Sequence, residues 1–348
     1  MSNRTDRAAE ILLGAVHFLV DFTCTALLTA LCVGVRGVSA ALCAVVYNGF
    51  AFAMQLPIGY LADRLSLRRT LAAGGCALVA VGSLFADPLL LCSLIGLGNA
   101  CFHVGGGRES LQRGGGRAAR IGRFVAPGAI GIFLGPRLAG RFLLVFRFAP
   151  LLLVLSALLL MAQKQKCRCR ETLPTAAFFS MRLLALCVCM FLTVLLRSYM
   201  GTVTRYTALS APWFAALLTL SVFLGKFFGG SLADRFGAFR FSLIAQPIGT
   251  VLYALSVVQP LLALPATLLF NTTMAITAHA LYRCAAHRSG TMFGLTTLAL
   301  YLGVLPRLLG APNPLFTWWG LALIGLGSTG LLLLGLQLAG KGEKRLAC

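Results

Sequence analysis

Residues 59–69 read GYLADRLSLRR, and residues 230–240 read GSLADRFGAFR. Each places an acid and an arginine directly behind an apolar run. Gly59, Leu61, Ala62, Asp63 and Arg64 recur as Gly230, Leu232, Ala233, Asp234 and Arg235 at one constant offset, so the chain repeats itself on the scale of half its length.

The surroundings of the two stretches set their context. The chain of 348 residues is 59% hydrophobic and 11% charged, with mean hydropathy +0.88, whereas soluble domains carry about 25% charged residues. Lipid is therefore the expected solvent for most of it. A net charge of +21 would suggest nucleic acid in a soluble protein. Here the basic residues form short clusters between apolar runs, with no stripe interleaved with aromatics, so no nucleic-acid partner is expected. The first apolar run, from about Ile11, passes into more apolar sequence without a small-residue cleavage site, and reads as a first span.

About 20 apolar residues cross the hydrocarbon. That length predicts spans at 10–33, 38–62, 70–86, 88–107, 121–138 and 142–162, then at 177–199, 211–233, 239–258, 260–281, 289–308 and 315–338. The fifth and eleventh are the least regular, being rich in glycine and broken by Pro127 and Pro306. With the N-terminus cytoplasmic, the outer loops hold only Arg36, Arg137, Arg141, Arg205 and Arg307, and the remaining loop and tail arginines and lysines fall inside. A multi-pass protein of the cell membrane with both termini cytoplasmic is expected.

The fold class that follows is an all-α membrane protein of twelve transmembrane helices in two six-helix pseudo-repeats. Residues 1–162 form the N-terminal half, 163–176 a cytoplasmic linker and 177–348 the C-terminal half. Both repeated stretches end an even-numbered span on the cytoplasmic side. Parallel halves of this kind place a substrate cavity near the bilayer midplane.

At this point the chain resembles the major facilitator superfamily. The family's loop signature is Gly, three residues, Asp-Arg, one residue, Gly, then basic residues. The first copy matches at Gly59, Asp63, Arg64 and Arg68, with Ser66 in place of the second glycine. The other copy matches at Gly230, Asp234, Arg235 and Gly237. In the fifth span, GRFVAPGAIGIFLGPRLAG (122–140) resembles the family's antiporter motif through Gly122, Gly131, Gly135, Pro136 and Gly140, with Ala139 replacing one glycine. Glycines at these intervals let backbones approach closely, and the proline permits a bend. An arginine in the middle of the fourth span, a third signature of drug–proton antiporters, is absent. The stretch GLGNACFHVGGG (96–107) is loosely similar to the fosmidomycin-resistance branch. The resemblance implies the MFS fold, and a carrier whose loop acids hold neighbouring helix ends together.

The residues themselves suggest where a proton would sit. Asp21 lies eleven residues into the first span, so at ~1.5 Å per residue it is near the bilayer centre. Such a carboxylate is costly unless paired or hydrated, and marks a functional candidate. His17 stands one turn before it, and Asn99 and His103 share a face of the fourth span. Asp21, His17 and His103 are the proton-coupling candidates. The alternative is a buried pair that fixes helix packing. Asn99, Lys226, Asn271 and His279 are the substrate-cavity candidates, with interhelical hydrogen bonding as the bland alternative. Arg147 and Arg197 are read as snorkelling to an interface.

Twelve cysteines lie mostly inside apolar runs and read as packing thiols. Cys167 and Cys169 lack a second pair at zinc-ligand spacing, so no metal site and no cofactor are expected. No nucleophile with a base and no HExxH pattern appears, so an enzyme is not expected. The reading is a secondary active transporter that moves a small-molecule substrate across the lipid bilayer by alternating access, as proton-coupled export, and works as a monomer. The alternatives are an uncoupled facilitator and a non-transporting sensor or lipid-modifying enzyme.

Overall fold

The computed structural model describes residues 2–34, 39–65, 67, 69–141, 143–162, 181–203 and 211–346. Arg68, Ser66 and the linker expected at 163–176, with Cys167 and Cys169, lie outside the described residues. The helices of the first half are α1 (Ser2–Gly34), α2 (Ala40–Arg64), α3 (Arg69–Gly82), α4 (Pro88–Arg113), α5 (Ala119–Leu138) and α6 (Leu144–Ala162). Those of the second are α7 (Met181–Val203), α8 (Pro212–Phe236), α9 (Ala238–Leu255), α10 (Pro260–Cys284), α11 (Ser289–Leu308) and α12 (Trp318–Leu346).

Every expected span is thus mainly helical over its described residues. Among the described residues, ten helices are long and apolar enough to cross a membrane. Of the others, α3 has 14 residues and α5 carries Arg120, Arg123 and Arg137. The glycine-rich α5 stays helical through Pro127 and Pro136. Helix starts follow ordinary chemistry. Ser39 accepts from the Leu42 amide to begin α2, and Asp87 accepts from Leu90 at 2.7 Å ahead of Pro88 to begin α4. A π-helical stretch, Gly49–Ala53, interrupts α2 at mid-length.

Packing repeats between the halves. In the first, α1 lies on α5 and α3 lies on α4 and α6; correspondingly, α7 lies on α11 and α9 on α10 and α12. Across the halves the principal contacts are α5 with α8 and α2 with α11, which are again equivalent under the repeat. The largest core joins Val20, Cys24, Val79, Ile95, Phe102 and Phe124 of the first half to Met274, Ala275, Ala278 and Phe293 of the second. On the outside, Leu155 and Leu158 of α6, Ile244 and Val251 of α9 and Leu323 and Leu326 of α12 are exposed, an arrangement that lipid tails cover without hydrophobic cost. Cys24, Cys43, Cys76, Cys92, Cys187 and Cys189 are buried free thiols.

Candidate functional site

The triad around Asp21 is assembled from α1 and α4, with a backbone carbonyl of α5 behind it. His17 Nε2 lies 3.1 Å from Asp21 Oδ2, His103 Nε2 lies 3.6 Å from Asp21 Oδ1, and Asn99 Nδ2 donates to Oδ1 at 2.9 Å. All four residues are buried. The i, i+4 spacings on α1 and α4 turn each pair to one face, and close packing of the two helices with α5 brings the faces together. Each imidazole is anchored from behind. His17 Nδ1 donates to the Phe124 carbonyl at 2.8 Å, and His103 Nδ1 donates to the Asn99 carbonyl at 2.9 Å. A carbonyl can only accept, so both Nδ1 atoms carry hydrogen, and in the neutral rings both Nε2 atoms are acceptors aimed at a carboxylate. An additional proton between Nε2 and Asp21 converts acceptor facing acceptor into a charge-assisted hydrogen bond.

The same three donor atoms lie within 4.8 Å of one another. Sequence spacing led to no expectation of a metal site, yet two imidazoles and a carboxylate can hold a divalent cation, and each ring has the backbone anchor that orients such ligands. Tyr47 also joins the group, its hydroxyl 3.4 Å from Asn99 Nδ2. Nothing in the sequence singled it out, because a tyrosine inside an apolar span reads as packing.

The repeated loops form two clamps across the halves. Asp63 accepts from the amides of Gly290 at 2.9 Å and Thr291 at 2.7 Å and from the Thr291 hydroxyl at 2.7 Å, all at the start of α11. Asp234 accepts from the amides of Ala118 at 2.8 Å and Ala119 at 2.9 Å, at the start of α5. First-turn amides have no partner inside their own helix, and the helix dipole favours a negative charge there. Glycine permits the approach. A Cβ on Gly59 would stand 2.2 Å from the Gly290 carbonyl oxygen, and one on Gly230 would stand 2.3 Å from that of Ala118.

Arg64 and Arg235 are exposed, over the rings of Tyr60 and Phe236 respectively. One residue along a helix rotates a side chain by about 100°, away from the acid's partner. The guanidinium beside Asp63 belongs instead to Arg108, fully buried, with Nε 3.4 Å from Asp63 Oδ1 and Nη1 donating to the carbonyls of Ala62 at 2.7 Å and Leu67 at 2.6 Å. A fourth span that ends at 107 puts Arg108 among the inner-loop charges, whereas the structure buries it fully.

No family model matches the chain, and no curated protein matches it in sequence. Solved structures do. An Escherichia coli fucose:proton symporter, FucP, aligns over 96% of this chain and 99% of its own at 14% identity, with a TM-score of 0.69. FucP is described as a major facilitator superfamily transporter in a second structure, in the outward conformation, with a TM-score of 0.68 at 13% identity. This chain has the major facilitator fold. A bacterial homologue of the iron transporter ferroportin in its outward-facing state aligns over 97% of this chain and 99% of its own, at 15% identity and TM-score 0.62. The human organic anion transporter MFSD10 (TETRAN) does so over 96% and 99%, at 16% and 0.63.

Within the major facilitator fold, the helix-five glycines have separate duties. A Cβ on Gly131 would meet the Phe18 carbonyl oxygen at 2.5 Å and one on Gly135 the Thr25 hydroxyl at 2.2 Å, so both seat α5 on α1. Gly140 has nothing within 4 Å of such a Cβ, and Pro136 lies inside a continuous helix. Gly128, which the motif did not single out, faces the triad itself.

The cavity candidates are dispersed. Asn99 holds Asp21, whereas Asn271 packs beside Gly225 and returns its Nδ2 hydrogen to the Thr267 carbonyl at 2.8 Å in its own helix. His279 and Lys226 are half-buried on α10 and α8. Arg147 is exposed, as a snorkelling residue would be. Arg197 is not: it is 7% exposed and donates from Nη1 to Thr273 Oγ1 at 3.0 Å. A cleft of about 1020 Å³ opens at the clamp end, lined by Arg7, Arg113, Arg117, Arg120, Arg123 and Arg235 with Glu10 and Asp234. It lies away from the triad, and Glu10 already pairs with Arg123.

Proposed function

We propose that the protein is a secondary active transporter of a small molecule, working by alternating access and driven by protons in the direction of export, with the clamp end cytoplasmic. The observation that carries this reading is the pair of equivalent clamps. Each is a carboxylate of one half on a helix N-terminus of the other, the kind of polar contact that can open and reform as two rigid halves rock. Two of the similar solved structures are of outward conformations, and closure at the clamps fits the same state. Residues 1–162 and 177–348 are the moving halves, 163–176 connects them, and the carrier functions as a monomer.

Asp21, with His17 and His103, is the proton carrier. Its anchored rings need a proton to complete their contact with the carboxylate, and losing that proton changes the charge between α1, α4 and α5. Asn99, Lys226, Asn271 and His279 border the substrate path. The helix-five glycines support export by their likeness to the antiporter motif. The test is substrate-driven proton flux in proteoliposomes, with a compound found by thermal-shift screening. Wild type is expected to move protons with substrate, and Asp21→Asn to retain counterflow exchange while losing proton movement. Wild-type counterflow without proton flux would establish an uncoupled facilitator instead. No counterflow for any bound compound would point to a non-transporting membrane protein.

A further inference from the structure

The second half holds a buried arginine, Arg197, and a half-buried lysine, Lys226, and neither has a carboxylate partner among the described residues. Arg197 on α7 is held by the Thr273 hydroxyl and by the Met274 sulfur, 3.1 Å from its Nη2. Neither bears negative charge. Lys226 on α8 makes no ion pair among the described residues, and its chain neighbour Gly225 packs on Leu268 and Asn271 of α10, the helix whose Thr273 and Met274 hold Arg197. Asp21 is already engaged by His17, His103 and Asn99.

The second half itself offers few acids. Between residues 177 and 348 the acids are Asp234 and Glu343. Asp234 caps α5, two turns along α8 from Lys226, and Glu343 stands near the end of the chain. Desolvating a charge is costly unless an opposite charge arrives to offset it. A guanidinium whose fork meets, among the described residues, a hydroxyl and a thioether has unused capacity for a bidentate oxyanion. Met274 belongs to the core shared with Val16, Val20 and Phe124 of the first half, so the guanidinium tip lies where the halves meet.

We infer that Arg197 and Lys226 form an anion-binding subsite at the interface of the halves, and that the substrate is a small organic anion. This rests on the transport reading for the word substrate, but the subsite can be tested without transport. The arrangement also divides the labour: protons are taken up in the first half, and the negative charge of the substrate is received in the second.

The experiment is thermal unfolding of the purified full-length protein in detergent, at low salt. The probes are benzoate, succinate and inorganic phosphate, with benzamide and succinamide as neutral counterparts. At least one organic anion is expected to raise Tm where its amide does not, with an effect that falls as ionic strength rises. Lys226→Met and Arg197→Gln are each expected to weaken that anion's apparent affinity by about tenfold or more, and Arg197→Lys to retain part of it. Lys226→Met without ligand is expected to raise Tm, because it removes a charge that has no ion-pair partner among the described residues. Equal protection by the amides, protection that survives in both variants, or a lower Tm for unliganded Lys226→Met would each overturn the inference. Anion binding without any counterflow would leave the subsite standing and remove the transport reading. Counterflow of neutral compounds alone would do the reverse.

Discussion

A methyl group on Gly128 would place carbon 2.4 Å from both Asp21 Oδ2 and His17 Nε2, so the proposed proton site depends on a side chain that is absent. Gly128→Ala is expected to force α5 away from α1, lowering stability by about 1–3 kcal/mol as overpacking does and reducing coupled proton flux at least as far as His17→Ala. Thermal unfolding and flux in liposomes check the two parts; unchanged flux would show that the triad does not carry the proton. Half of this constellation was legible beforehand. One-turn spacing puts His17 with Asp21 and Asn99 with His103, because helical periodicity is a local property. That the two pairs converge, and that Tyr47 and Gly128 border them, depends on which helices are neighbours, and no local pattern encodes that.

At the scale of elements, the decisive helix is α4. It runs to Arg113, beyond the point where its apolar run ends, because Gly105, Gly106 and Gly107 lie against α3, α5 and α11. A Cβ at these positions would meet Ala72, Phe124 and Phe293 within 3 Å. The extension buries Arg108 beneath the first clamp and sets Glu109 against Arg69 at 2.9 Å and against Arg113. Arg108→Ala would leave the Leu67 carbonyl without the Arg108 donor, the Ala62 carbonyl with the Leu67 amide alone, and Asp63 without the cation beside it. Losing one partner of such a buried set costs about 3–5 kcal/mol. A substantial fall in Tm is therefore expected in thermal unfolding, with little rescue by Arg108→Lys, whose single ammonium cannot reproduce the fork. A fall no larger than that of Arg64→Ala would show that Arg108 is only one of the loop charges.

For the whole molecule, the two clamps make a claim that hydrogen exchange can read. The amides of Gly290 and Thr291 are held by Asp63, and those of Ala118 and Ala119 by Asp234, whereas first-turn amides otherwise depend on water. Asp63→Asn is expected to speed exchange at the start of α11 by about tenfold, the effect of losing about 1.4 kcal/mol, and to leave the start of α5 protected. Asp234→Asn is expected to do the converse. In liposomes, Asp63→Asn is expected to slow transport with little change in substrate affinity, because in the proposed mechanism the acid acts on the rocking of the halves rather than on the ligand. Normal transport by that variant would reduce the repeated loops to charges that set topology.

What the sequence determined by itself was everything that depends on hydropathy, periodicity and internal likeness: the bilayer as solvent, the order of the spans and the repeat carried by Asp63 and Asp234. These are properties of short stretches, and lipid enforces them segment by segment. Tertiary structure alone decided the partners. It brought His103 to Asp21, gave Asp63 the buried Arg108 rather than the neighbouring Arg64, and enclosed Arg197 where its place near a span's end suggested water. The physical reason is the same in each case. A polar group in an apolar interior must find its counterpart on another helix, and which helix lies within 3 Å is settled by backbone approach at glycines far away in the chain.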